Sequence, residues 1–185
     1  MYVKNRHRLK KKDVMLIKKR LSELFSGEEF IKNDDVVEIG LVDKKNIVFI
    51  NGSPDFFKED EAIFFTLIGL LNHNPKHRKV IVDIGAIPYV TNGADIMAPG
   101  IVDADLIIKP GEYVWICDEK HGKPLAVGIA LISGIDMKNQ NKGKAVENIH
   151  YIGDALWRQL TEGGGKRRSN LFWEDYKRTG VKKSS

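Results

Sequence analysis

Apolar residues along the chain keep two rhythms, one of helices mixed with strands up to about residue 78 and one almost wholly of strands beyond it. Residues 2–9 alternate loosely and predict an edge strand. From Asp13, placed to cap a helix, Val14, Ile17, Leu21 and Leu24 recur at spacings of 3, 4 and 3, which puts them on one helical face. Lys18, Lys19 and Arg20 project elsewhere, and Gly27 ends the helix. Residues 36–42 and 46–50 flank the polar Asp43-Lys44-Lys45 as in a hairpin, and Asn51-Gly52-Ser53-Pro54 reads as a turn. Residues 60–72 are apolar on nearly all sides and predict a buried helix at the heart of the first domain. Pro75 stops that helix, so residues 73–79 form the link.

Beyond the link, strands are expected at residues 79–84, 106–108, 113–118, 124–132 and 144–151, with turns at Gly111 and Lys120-His121-Gly122-Lys123. Many short strands with two brief helices point to a small, partly closed barrel. Within it lies Asn92-Gly93-Ala94-Asp95-Ile96-Met97-Ala98-Pro99-Gly100-Ile101. Its two glycines enclose what reads as one turn of helix, ended by Pro99-Gly100. Without a Cβ, Gly93 lets a phosphate or a neighbouring strand approach its main chain, and free N–H groups at the helix start would favour an anion.

That segment gains meaning from Gly143-Lys144-Ala145-Val146-Glu147-Asn148-Ile149-His150-Tyr151 and Asp154-Ala155-Leu156-Trp157. Together they resemble the PUA domain, an RNA-binding module. Val82-Asp83-Ile84-Gly85-Ala86-Ile87, leading into the glycine segment, is most similar to the malignant-T-cell-amplified-sequence branch, a translation-associated family with its own domain ahead of the PUA module. The resemblance is close over residues 79–157 and looser over 1–78. It implies an α+β protein: a small α/β N-terminal domain (1–77), a PUA β pseudo-barrel with short helices (78–157) and a basic tail (158–185).

By position, the resemblance also implies an RNA site. One wall would come from Thr91, Asn92, Gly93, Ala94, Asp95, Met97, Pro99 and Gly100, the other from Lys142, Lys144, Asn148 and His150. Tyr89 adds an aromatic ring to the same loop. Structural readings compete at several positions. Met97 reads as core before contact, Pro99-Gly100 as chain geometry, His150 as an interior imidazole, Trp157 as an anchor and Asp95 as a cap. Lys144 is the stronger contact, because a cation beside Gly143 has little evident structural purpose.

Charge sharpens the picture. The net charge of +5 divides into +8 over residues 1–20, −8 over 21–157 and +5 over 158–185. Basic ends around an acidic middle suggest localised contact with a polyanion. Arg6, Arg8, Lys10, Lys11, Lys12, Lys18, Lys19 and Arg20 form the N-terminal cluster, and the resemblance implies that this domain helps dock onto the ribosome or a partner. In the tail, Lys166-Arg167-Arg168 and Lys177-Arg178 alternate with Phe172, Trp173 and Tyr176, a pattern suited either to clamping RNA or to packing back on the domain.

Nothing approaches the roughly 20 apolar residues needed to span a bilayer, and the basic N-terminus leads into lysines rather than an apolar core, so neither membrane nor secretion is expected. Cys117 stands alone in an apolar strand and reads as a reduced core residue, in keeping with a cytoplasmic protein. A phosphate-binding Gly-x4-Gly-Lys-Ser/Thr, a Gly-x-Ser-x-Gly elbow and a dinucleotide fingerprint are absent. His73 and His77 have metal-chelating spacing, but Pro75 breaks any helix between them. Asp83, Asp95, Asp103 and Asp105 read as caps and loop residues before they read as an acid–base pair. The expectation is a non-enzymatic RNA-binding protein, without cofactor or metal; contact with tRNA or the small ribosomal subunit is what the resemblance implies. One alternative is a protein adaptor, since eukaryotic relatives pair with density-regulated protein; another is an accessory subunit of an RNA-modifying enzyme.

Overall fold

The computed structural model describes residues 1–161. The elements that the sequence places in the tail at Lys166-Arg167-Arg168, Phe172, Trp173, Tyr176 and Lys177-Arg178 lie outside these residues.

Five strands form an antiparallel meander: β1 (Lys4–Arg8), β2 (Val37–Val42), β3 (Lys45–Ile50), β4 (Ser53–Glu59) and β5 (Ala62–Phe65), in that spatial order. β1 is an edge strand, as expected. The hairpin between β2 and β3 pairs Val42 with Lys45, so Asp43 and Lys44 alone make the turn. Both have positive φ (45° and 65°), the geometry that matches the strands' own twist. Helix α1 (Lys11–Leu24) is capped at Lys10, and Asp13 lies inside its first turn rather than at the cap. Ile17 and Leu21 are buried while Val14 and Leu24 are half-buried, so the 3-4-3 stripe faces the sheet.

The largest departure from the sequence reading lies at residues 53–73. Strand β4 begins at Ser53 and carries Pro54, where a turn was expected. The greasy run from residue 60 splits into strand β5 and helix α2 (Leu67–His73) at Thr66. Thr66 is extended, and its hydroxyl accepts a hydrogen bond from the Gly69 amide (3.1 Å), which starts the helix. Phe25, Phe56, Phe64 and Phe65 are fully buried, and Phe65 meets Phe56 with ring centroids 4.6 Å apart and Phe25 at 5.2 Å.

The second sheet has six strands in the order β7-β11-β10-β9-β6-β8: β6 (Lys79–Val82), β7 (Ile96–Met97), β8 (Ile101–Ala104), β9 (Tyr113–Asp118), β10 (Pro124–Ala130) and β11 (Lys144–Tyr151). Only β6 and β9 run parallel; every other pair is antiparallel. The sheet curls into a nearly closed pseudo-barrel, so the α+β architecture is as expected. Three short helices accompany it: α3 (Ile87–Val90), α4 (Gly134–Asn139) and α5 (Ala155–Thr161). Two details differ. Residues 106–108 are a loop, and the strand lies earlier, at β8. Residues 94–97 do not form a helical turn; Ile96–Met97 pair as a strand, with helical turns on either side, α3 upstream and a 3-10 turn at Ala98–Gly100 downstream that takes in the Pro99-Gly100 expected to end the helix. Cys117 is buried in β9, where burial pushes its thiol up to about 12.

The two sheets share one hydrophobic core. Tyr113 of β9 packs against Phe57 (5.3 Å) and Phe64 (5.6 Å) of the first sheet, and its hydroxyl donates to Glu59 (3.3 Å). Arg78 is only 7% exposed. Its Nε donates to the Leu24 carbonyl at the end of α1 (2.7 Å), while its guanidinium pairs with Glu112 (2.8 Å) and its amide donates to Asp105 (2.8 Å). A buried cation is tolerable only with such partners. Arg78→Ala is expected to lower the unfolding free energy by about 3 kcal/mol, measured by urea titration, with Lys76→Ala as a neighbouring exposed control that changes little.

Candidate RNA-binding face

Helix α3, the bend that follows it, β7 and the start of β11 form one continuous edge of the barrel. Within the bend, the amides of Thr91, Asn92, Gly93 and Ala94 donate to the carbonyls of Ile87, Tyr89, Val90 and Tyr89, at 3.0–3.1 Å. They therefore do not stand open to a phosphate, and the anion cradle expected there is replaced by a closed turn. Thr91 also spends its hydroxyl internally, on Ile87 O (2.9 Å).

Gly93 is needed for a different reason. Its φ is +86°, and a Cβ there would come within 2.7 Å of the Tyr151 ring on β11. A side chain of the closing strand thus occupies the space that the missing Cβ leaves. Gly100 likewise approaches Ala86, and its carbonyl accepts from the Asp83 amide (2.9 Å).

Asn148 fastens the bend. Its side-chain amide donates to Val90 O and Ala94 O, both at 3.0 Å, and its backbone amide donates to Asp95 (3.0 Å). Asp95 also pairs with Lys144 (2.8 Å). The hydrogen bond from Lys144, with the one from Asn148, holds the Asp95 carboxyl below its ordinary range; the Lys144 ammonium is raised in return. Lys144 therefore has a structural partner after all, although its side chain remains more than half exposed.

His150 is 2% exposed. Its Nδ1 faces Asp154 (2.7 Å), so it lies in the interior and not on the face. Asp154 in turn caps α5 by accepting from the Trp157 amide (2.7 Å), and the buried Trp157 is the anchor that its position suggested. Burial alone would raise the Asp154 carboxyl, but bonds from His150 and the Trp157 and Tyr151 amides outweigh it and the group titrates below its usual range.

What remains at the surface is a smaller set: Asn92, Ala94, Met97, Pro99, Lys142 and Lys144 are exposed. Met97, which the pattern assigned to the core, is 47% exposed and sits opposite Lys144 in the β7–β11 pairing. Tyr89 is 69% exposed on α3 and Ile84 48% exposed just before it. Ile84, expected to end a strand, instead opens a 3-10 turn ahead of α3. The four aspartates are engaged separately: Asp83 with the Ala86 amide, Asp95 with Lys144, Asp103 with Lys138 and Asp105 with Arg78. His73 and His77 bond to different carboxylates, Asp55 and Asp105. No group of three or more metal-ligating side chains comes together among the described residues.

The N-terminal cations are also partly committed. Arg6 pairs with Glu38 (2.6 Å) and lies over the Phe49 ring, Arg20 pairs with Glu61, and Lys19 lies 3.9 Å from Glu23. Lys18 donates to Asn33 (2.9 Å). Arg8, Lys10, Lys11 and Lys12 have no acidic partner among the described residues.

Comparison with known proteins agrees with this architecture. Residues 78–152 match the PUA domain profile, and residues 5–73 match a profile described as a domain of unknown function, DUF1947. The chain is 34% identical over 171 residues to malignant T-cell-amplified sequence 1 of Rattus norvegicus, covering 86% of this chain and 93% of the relative. It belongs to that family of PUA-domain proteins. Translation machinery-associated protein 20 of Schizosaccharomyces pombe is 32% identical over 136 residues, covering 71% of this chain and 75% of its own. An uncharacterized protein of Methanocaldococcus jannaschii is 47% identical over 158 residues, covering 85% and 98%. The crystal structure of a hypothetical protein from Pyrococcus horikoshii superposes with a TM-score of 0.77 at 43% identity, covering 83% of this chain and 98% of that one. The archaeal relatives are matched almost end to end, so they have no room for an added catalytic domain. No helix among the described residues is long and apolar enough to cross a membrane.

Two expected outcomes follow from this PUA geometry. Gly93→Ala adds a clash with Tyr151 to the cost of positive φ, whereas Gly111→Ala, at φ +87° with open space around it, has only the latter. Gly93→Ala should therefore lose about 2 kcal/mol more by thermal or urea unfolding, within the usual range for overpacking; equal losses would mean that Tyr151 simply swings aside. Asp154→Asn should lower stability by about 1–3 kcal/mol at neutral pH. Because the folded carboxyl titrates low, that difference is full above the ordinary carboxylate range and fades as the pH falls toward the folded value. Urea titrations of both proteins from pH 7 to pH 3 read it directly.

Proposed function

We propose that the protein is a non-enzymatic, cytoplasmic RNA-binding protein that acts with the translation machinery and holds structured RNA, tRNA or small-subunit ribosomal RNA, against the face built by α3, β7 and β11. The observation that carries this reading is the composition of that face within a PUA module. An exposed aromatic ring (Tyr89), an exposed thioether (Met97) and two cations (Lys142, Lys144) stand on a backbone locked by Asn148. Such a surface offers stacking and charge with little ordering cost. The names of the relatives support a place near translation.

Asp95 tempers the site. Its pairing with Lys144 holds the ammonium in position but offsets its charge, so phosphate binding by this face is moderate and salt-sensitive. The basic strand β1 and helix α1 are a second source of cations in the same chain. A protein-adaptor role would draw on a separate surface, the flank of α1.

Binding to a tRNA transcript, followed by fluorescence anisotropy across a salt series, tests the assignment. Lys144→Ala should weaken binding several-fold and reduce the salt slope by about one unit. Tyr89→Ala should cost about 1–3 kcal/mol if a base stacks on the ring. Asp95→Asn should bind at least as tightly as the parent, since it frees the cation while keeping an acceptor for the Asn148 amide. Absence of any tRNA or ribosomal RNA binding at low ionic strength would remove the proposal.

A further inference from the structure

Helix α1 meets the first sheet along one face. Ile17 and Leu21 are buried, but in the first half Val14 is only half-buried, and Met15 and Leu16 are 70% and 48% exposed. Val14 and Leu9 still pack against the core, and a groove opens along each flank of the helix.

The two grooves differ in charge. The flank on the Leu16 side, a cavity of about 560 Å³, mixes signs: Asp13 and Glu61 face Arg20 and Lys58, with Arg20 and Glu61 already paired. The flank on the Met15 side, about 500 Å³, is lined by Arg8, Lys11, Lys18 and Lys32. Its single acid, Asp35, is occupied by the Asn51 side-chain amide and the Lys32 backbone amide, both at 2.7 Å. Arg8, Lys11 and Lys32 have no acidic partner among the described residues, and Lys18 is held only by Asn33. The floor between these cations is aliphatic and thioether: Leu9, Val14, Met15 and Val37.

We infer that this groove is a docking site for an acidic segment of a partner protein, one that sets apolar anchor side chains on the Val14–Met15 floor and carboxylates against the four cations. Charge complementarity selects an anion. The floor selects a peptide over a nucleic acid, because it presents no aromatic ring on which a base could stack. A methionine beside branched side chains adapts to different anchors, as surfaces that accept peptides in grooves do. The volume is in the range of pre-formed ligand sites. The groove belongs to the first sheet and α1, so loss of RNA binding at the β11 face would leave it intact.

A fluorescein-labelled 16-residue peptide of Glu and Asp with Leu and Phe at helical spacing serves as the probe for the full-length protein. A poly-glutamate of equal charge and a 12-nucleotide single-stranded RNA serve as comparators. The acidic-apolar peptide should bind at least tenfold more tightly than poly-glutamate. Met15→Asp and the double charge reversal Lys18→Glu/Lys32→Glu should each weaken it at least tenfold, and Met15→Asp, which removes no cation, should leave tRNA binding within twofold. Amide chemical-shift changes on peptide addition should concentrate in α1, β1 and residues 32–37. Equal binding of peptide and poly-glutamate would reduce the groove to unspecific charge and overturn the inference. So would RNA displacing the peptide with higher affinity and losing that affinity in the same variants, or shift changes located elsewhere.

Discussion

The carboxamide of Asn148 is the point on which the candidate site turns. One side chain on β11 reaches two carbonyls, Val90 and Ala94, at opposite ends of the bend, and its backbone amide holds Asp95. The bend, β7 and the closing strand therefore move as one unit. Asp95 passes the constraint outward to Lys144, and Tyr151, three residues beyond Asn148 on β11, fills the space against Gly93. Replacing Asn148 would take the side-chain donor from the Ala94 carbonyl and leave the Val90 carbonyl only the Gly93 amide, a cost borne by the face as a whole.

The same strand carries both surface and interior side chains, and its pairing shifts register between them. Lys144 points out, while His150, later on β11, points in and serves Asp154, which caps α5. Because the closing helix depends on that cap, the barrel's last strand organises both the exposed edge and the buried end of the second unit. Arg78 plays the comparable part between the sheets, joining the end of α1 to Glu112. Orientation of the α1 surface relative to the barrel thus rests on buried polar contacts as well as on the Tyr113 aromatic cluster.

Much of this was legible in the order of residues. The 3-4-3 stripe of α1, the β2–β3 hairpin, the long strands β9, β10 and β11, the Asp83 cap and the buried Cys117 all follow from local periodicity and turn chemistry. The family resemblance carried the barrel itself. The reading went astray where local signals are degenerate. A continuous apolar run such as residues 62–71 fits a buried strand or a buried helix equally well. The discriminating detail was Thr66, a cap in the middle of the run, together with the aromatic residues before it. Strand β4 was masked by Pro54, which reads as turn until its place in the pairing is known.

The sequence by itself determined which segments could form strands and helices, where the chain must turn, and that its charge lies at its ends, since these depend on neighbours within a few residues. Only the tertiary structure decided that the amides of residues 91–94 bond inward, that Gly93 makes room for Tyr151, that Lys144 holds Asp95, that Met97 faces solvent while His150 does not, and that α1 leaves a basic, apolar-floored groove. Each of those outcomes is set by a partner that is distant in the chain or by which side of a strand faces the core. Local spacing does not encode such partners, because they meet only when the sheets close.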